Sequence, residues 1–180
     1  MIGRLPKTLT VDGTPREIRT DYRIALTIIE AFEDPDLTEY DKTRVMLELL
    51  YVDPVTSDEA AQKAVWFLDG GDVPHAKSTA RVMDWQQDEH LIFPAINKVA
   101  GCEVRALEYC HWWTFLGWFY GIGEGAFSTV VGIRYKQKHG KQLEKWERDY
   151  VRDNPEAVRL KARYSAEEQA EITRLKSLFD

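Results

Sequence analysis

The chain has 180 residues, enough for one domain with a substantial core. Charged residues make up 30% and hydrophobic residues 44%, a balance that excludes a disordered chain. The net charge of −6 argues against broad phosphate binding, which needs clustered Lys and Arg.

The charge is unevenly spread. Residues 1–133 carry 12 Lys/Arg and 21 Asp/Glu, whereas residues 134–180 carry 12 and 9. The basic surplus is concentrated between Arg134 and Arg152. MIGRLPKTLT, at the start, has no apolar signal core.

In chain order, Leu9–Val11 and Arg16–Ile18 flank Asp12-Gly13 and predict a β-hairpin, with Thr14-Pro15 lengthening the loop beyond two residues. Asp21 is placed to cap a helix over Tyr22–Glu33, with Ile24, Ile28 and Ala31 on one face. Thr38 with Asp41 resembles a capping box and opens a helix to about Tyr51, with Val45, Met46, Leu49 and Leu50 as its apolar side. A third helix is expected over about Asp58–Leu68, stopped by Gly70-Gly71. Residues 71–80 read as a loop.

In RVMDWQQDEHLIFPAINKVAG, residues Trp85, Ile92, Ile96 and Val99 fall at helical spacing and Gly101 closes the segment. Pro94 predicts a kink or two shorter helices. A further helix is expected from about Cys102 to Ile122, broken by Gly121, Gly123 and Gly125. Cys102 and Cys110, eight residues apart on such a helix, would lie roughly 12 Å apart along its axis. That is too far for a disulfide, so two free thiols are expected. Phe127–Lys138 reads as helical, and Lys141–Arg152 as amphipathic with Leu143, Trp146 and Tyr150 on a stripe. Asn154-Pro155 begins another helix, and Ser165 with Glu168 caps a last one to about Leu178.

The fold class is therefore mainly α: about seven to eight helices with a short N-terminal β-hairpin. The expected organisation is a single domain over 1–180, with the hairpin at 5–20, a helical core at 21–139 and charged C-terminal helices at 140–180.

HWWTFLGWFYGIGEGAF, residues 111–127, holds seven aromatic residues. Tyr109–Gly123 is only 15 residues long, against roughly 20 needed to span a bilayer. Leu107, His111, Phe115, Trp118 and Ile122 would share one face; Trp112, Leu116 and Phe119 the next; Trp113, Gly117 and Tyr120 a third. A helix apolar all round must be surrounded by protein, and Gly117 would permit close helix approach. The expected reading is a core helix in which His111 is hydrogen-bonded to an acid such as Asp88. The sharper alternative is a subunit or client interface, with Trp113, Tyr120, Trp146 and Tyr150 as candidates.

Other chemistry has weaker support. Asp84, Asp88, Glu89, His90 and His111 are metal-ligand types, but HExxH and paired ExxH motifs are lacking. GAFST lacks the GxSxG elbow around Ser128. GIGEG lacks the GxGxxG spacing of phosphate loops. The basic cluster Arg134, Lys136, Lys138, Lys141, Lys145 and Arg148 is diluted by Glu144, Glu147 and Asp149. No catalytic residue, metal or cofactor is assigned.

DWQQDEHLIFPAI (84–96), YCHWWTFLGWFYGI (109–122) and GIRYKQK (132–138) resemble the bacteriophage gene-product-fifteen family of long-tailed phages of Gram-positive bacteria. The resemblance covers about residues 5–150. It rests on a D-W-x-x-D segment (Asp84, Trp85, Asp88) followed by H-W-W-x-F (His111, Trp112, Trp113, Phe115), with Trp118 beyond. Cys110 stands where the family has Leu, and VAGCEV (99–104) replaces its Tyr-Gly-Ile-Asp-Leu-like linker.

The resemblance implies a tail assembly chaperone. Such a protein binds the phage tape measure protein in the host cytoplasm and is absent from the mature virion. A homo-oligomer is expected, since self-association would let many copies coat one client, and the tail tube protein is a further candidate partner. No nucleic-acid or membrane partner is expected. A permanent tail or connector component is the alternative, and an enzyme built on Asp84, Asp88, His90 and His111 the third class.

Overall fold

The computed structural model describes residues 3–71 and 81–177. Packing groups the chain into two compact units, Met1–Asp72 with Ala162–Asp180, and Val73–Lys161. Among the described residues there are two strands and nine α-helices, so the chain is mainly α with an N-terminal hairpin.

In the first unit, β1 (Thr8–Val11) pairs antiparallel with β2 (Thr14–Glu17) in the register Val11↔Thr14. The connection is therefore two residues long, shorter than expected. Asp12 and Gly13 both have positive φ, 49° and 72°, as a two-residue type I′ turn requires. Pro15 fits because of parity. Ile18 N–H donates to Lys7 O, so hydrogen-bonded pairs alternate through 9/16 and 11/14. Pro15 faces Thr10 at a non-bonded pair, where its missing N–H costs nothing.

Three helices follow: α1 (Tyr22–Glu33), α2 (Glu39–Leu50) and α3 (Asp58–Leu68). Their N-caps are Asp21, Thr38 and Ser57, and each side chain accepts a backbone N–H. At Thr38 the expected box closes differently, since its hydroxyl donates to Asp41 Oδ2 at 2.6 Å. The buried faces are Tyr22, Ala25 and Ile28 on α1, and Met46, Leu47 and Leu50 on α2. Ile24, Ala31, Val45 and Leu49 are only half-buried.

The hairpin is stitched to the end of α2. Arg19 N–H donates to Leu50 O, Val52 N–H to Glu17 O, and the Arg19 guanidinium to the carbonyls of Glu48, Leu49 and Tyr51. These bonds satisfy carbonyls that the helix end leaves without partners. The hairpin turn also meets α3, through Asp12 N–H to Glu59 Oε2 at 2.8 Å.

The second unit contains α4 (Glu89–Ala100), a 3-10 turn (Val104–Ala106), α5 (Trp112–Tyr120), α6 (Ala126–Lys138), α7 (Lys145–Asp153) and α8 (Pro155–Val158). Residues 85–88 form a turn ahead of α4, and Pro94 lies inside it. Gly101, at φ 73°, closes α4. Residues 162–177 return to the first unit. There Arg163 pairs with Glu33 at 2.8 Å, and α9 (Ala166–Lys176) starts at the expected Ser165–Glu168 capping box. The expected loop over 71–80 lies, apart from Gly71, outside the described residues, as does the helix end at Leu178.

The expected helix from Cys102 to Ile122 is not formed as such; only Trp112–Tyr120 is α-helical. Side chains capture the backbone earlier. Asn97 Oδ1 accepts Val104 N–H, and Glu103 accepts Arg105 N–H, which holds the 3-10 turn. The same Arg105 contacts, made by its side chain and its backbone N–H, draw the Glu103 carboxyl down to about 2. Cys102 is exposed and Cys110 buried, both as free thiols.

Tyr51 is buried, and its hydroxyl donates to Ala60 O at 2.9 Å. Burial, helped by the negative charge of Glu59, pushes its ionisation up to about 12. A raised folded-state value means that the stabilisation is complete below the ordinary value of 10 and is lost as pH rises toward 12. Denaturant melts across this range should show that alkaline loss. Tyr51→Phe should cost about 1 kcal/mol at neutral pH and flatten the loss.

Candidate functional site

Two of the three motif segments, 84–96 and 132–138, meet in the second unit at one buried ion pair. Asp88, in the turn that opens α4, accepts both terminal nitrogens of Arg134 on α6, at 2.6 and 2.9 Å. Both side chains are almost completely buried, with 3% exposure for Arg134 and 2% for Asp88. The remaining guanidinium donors are also matched. Nε donates to Val158 O at 2.8 Å, Nη1 to Val82 O at 3.2 Å, and Nη2 to Ala157 O at 2.7 Å. All five Arg donors thus have acceptors, the condition under which a buried guanidinium is tolerated.

Asp84 organises the approach. Its Oδ1 accepts Gln87 N–H at 2.8 Å, its carboxylate pairs with Arg81, and its own N–H donates to Asp88 Oδ2 at 2.9 Å. Gln87 in turn holds the 159–161 segment, donating to Arg159 O and accepting Lys161 N–H. The i, i+4 acid pair weighed as a metal site is therefore engaged by two arginines and backbone amides. His90 is exposed, and Glu89 lies near Arg105 at 3.8 Å. Asp88, expected as the partner of His111, belongs to Arg134.

His111 is the N-cap of α5, its Nδ1 accepting Trp113 N–H at 3.1 Å. It is buried, as expected of a core histidine, but its role is to start the helix. Cys110 precedes that cap, so the motif's HisTrpTrp marks a helix boundary rather than a helix interior.

Behind the cap, Phe115 is the hub of an aromatic cluster. Its centroid lies 5.8 Å from Trp112 in a near-parallel stack, 6.1 Å from Phe93 on α4 and 6.2 Å from Trp85. Trp85 also meets Phe119 at 5.0 Å, and Phe119 meets Phe127 at 6.0 Å. Offset and tilted rings at these separations add to the burial term.

The helix is not enclosed on all sides. Trp112, Phe115 and Leu116 are buried, while Trp113, Trp118 and Phe119 are half-buried. Gly117 is exposed and Tyr120 is 60% exposed. The close approach expected at Gly117 occurs at Gly121. A Cβ there would sit 3.2 Å from both Gly117 O and Val99 Cγ1.

Among the candidate interface residues, Trp146 is 52% exposed and donates from Nε1 to Glu144, while Trp113 and Tyr150 are half-buried. The predicted stripe on α7 is rotated rather than continuous: Glu147 is its buried residue, Tyr150 beside it is half-buried, and Trp146 is turned outward. Lys136 Nζ at 2.7 Å, with Glu144 N–H, holds the Glu147 carboxyl below its usual range. Two charge contacts outcompete the apolar side chain for that position.

A groove with a volume of about 460 Å³ opens between the outer face of α4 and residues 121–127. Leu91, Pro94, Ala95, Val99, Ile122 and Phe127 supply its apolar walls, with exposed His90, Lys98 and Glu124 also lining it. Gly125 caps α6 in extended backbone, with Ser128 Oγ bonded to its N–H and C=O. The glycines of GIGEG thus make the groove's wall and a helix start.

From sequence Arg134 belongs to a basic cluster and to the GIRYKQK segment, with no burial expected. The available signal was its position on an apolar stripe, Phe127–Val130–Ile133, where a solvated Arg would be misplaced. Its partner, 46 residues earlier, had no sequence mark beyond the D-W-x-x-D spacing.

Replacing Arg134 by Met should cost about 3–5 kcal/mol in urea denaturation, because Asp88 is left buried and unpaired. Pairing it with Asp88→Asn should cost less than the sum of the two single changes. Trp112→Ala should cost about 3–5 kcal/mol, and Trp118→Ala distinctly less, since Trp118 is only half-buried.

No helix among the described residues is long and apolar enough to cross a membrane. No group of three or more potential metal ligands occurs among them. No curated protein and no solved structure matches the chain. Residues 1–165 match the family model described as Bacteriophage Gp15 protein, and the chain belongs to that family.

Proposed function

We propose that this phage protein is a tail assembly chaperone that binds the tape measure protein in the host cytoplasm and leaves before the virion is complete. It acts by binding, not catalysis. The observation that carries the reading is the groove between α4 and residues 121–127. It is rich in apolar side chains and open to solvent. Such a groove suits one face of an amphipathic client helix. The net charge of −6 favours solubility of a complex with an apolar client. Self-association would let several copies coat one client by avidity.

Co-expression with the tape measure protein of the same phage should raise that protein's soluble fraction and give a co-purifying complex. Pro94→Asp, at an exposed apolar groove position, should lower the recovered complex at least tenfold while leaving the melting curve no lower than wild type. An equally insoluble client with and without the chain defeats the chaperone reading. Stoichiometric presence in purified virions, by mass spectrometry, supports the alternative of a structural tail or connector component.

A further inference from the structure

Helix α8 and residues 159–161 form a strap that side chains of the second unit hold by its backbone. Arg134 Nε donates to Val158 O at 2.8 Å and Nη2 to Ala157 O at 2.7 Å. Arg81 Nη1 donates to Lys161 O at 3.0 Å. Gln87 donates to Arg159 O at 2.7 Å and accepts Lys161 N–H at 2.9 Å. Val158 is the one buried side chain of residues 155–161, and Pro155, Glu156, Arg159 and Lys161 are exposed. By contrast α4 buries Ile92, Phe93 and Ile96, and α6 buries Phe127, Val130 and Ile133. A segment with so little buried apolar surface opens at a lower free energy than the helices it lies against.

The docked strap keeps water from the Arg134–Asp88 pair. It supplies two acceptors of the guanidinium, and the two side chains stay at 3% and 2% exposure. When the strap lifts, water takes the place of the Val158 and Ala157 carbonyls. A buried and fully matched pair resists separation, whereas the same pair open to water is screened and weak.

That pair joins the two helices that contribute to the groove's walls. Asp88 O accepts the N–H groups of Leu91 and Ile92 at 2.8 and 2.9 Å, so its main chain belongs to the first turn of α4, one wall. Arg134 lies on α6, whose first residues, Ala126 and Phe127, belong to the other wall. Weakening the pair therefore frees one wall to move against the other.

We infer that the strap is a latch on the groove: docked, it holds α4 and α6 at the spacing that grips a client, and lifted, it lets the client go. The inference supplies the release step of the chaperone reading and rests on that reading. Linkage makes the effect reciprocal, so a client in the groove also holds the strap down.

Gln87→Ala tests the latch on the full chain. Gln87 does not line the groove, and the bond from its main-chain N–H to Asp84 survives the change. Hydrogen exchange in the variant should speed about fivefold at residues 157–161 and also at 91–99 and 122–130, with α1 to α3 unchanged. Recovery of the co-expressed tape measure protein should fall about fivefold, and in wild type that client should slow exchange at 157–161. Unchanged exchange, or faster exchange confined to 157–161, overturns the latch. So does faster exchange at the groove with client recovery equal to wild type. A wild type that solubilises no client defeats the chaperone reading, and the exchange of the variant still decides whether strap and groove are coupled.

Discussion

The second unit depends on placing one guanidinium in a buried position and supplying every acceptor that it needs. Asp88 gives two of the bonds to Arg134, and the carbonyls of Val82, Val158 and Ala157 give the rest. A charge of this kind is costly to desolvate, so its burial makes sense only where all partners arrive together. Four separate stretches of chain are thereby fixed to one point: the 81–84 approach, the opening of α4, α6 and the short α8. An apolar replacement could match the stability, but it would not specify which carbonyls must be present.

Beside that join, the aromatic cluster fills volume. Phe115 receives rings from α4, from the D-W turn and from its own helix. His111 makes this packing possible by starting α5 where it does, so that Trp112, Phe115 and Leu116 face inward together. Each residue of the family motif has a part in holding the second unit together. Asp84 shapes a turn, Trp85 covers Phe115 and Phe119, Asp88 receives Arg134, and His111 caps the helix that carries the rings. Gly121 lets Val99 approach closely at one wall of the groove.

Local signals were read well where the local contact is also the final one. Asp21, Thr38 and Ser165 cap the helices they were expected to cap, and Gly101 ends α4 in the left-handed region. Reading failed where a distant or competing partner intervened. Asn97 and Glu103 took the amides that a longer helix would have used. Lys136 drew Glu147 inward and left Trp146 half outside. Hairpin parity put Thr14 and Pro15 in the strand, where sequence alone suggests a longer loop.

By itself the sequence determined the helical class, the hairpin with its Asp-Gly turn, the main helix caps and the family. Those properties follow from propensities and spacings that act within a few residues. Only the tertiary structure decided which charges are buried, which aromatics stay inside and where open apolar surface remains. Arg134 and Asp88 are 46 residues apart, and nothing local distinguishes a charge that will be enclosed from one that will be solvated. Desolvation is set by everything that packs around a group, and that sum exists only once the chain has folded.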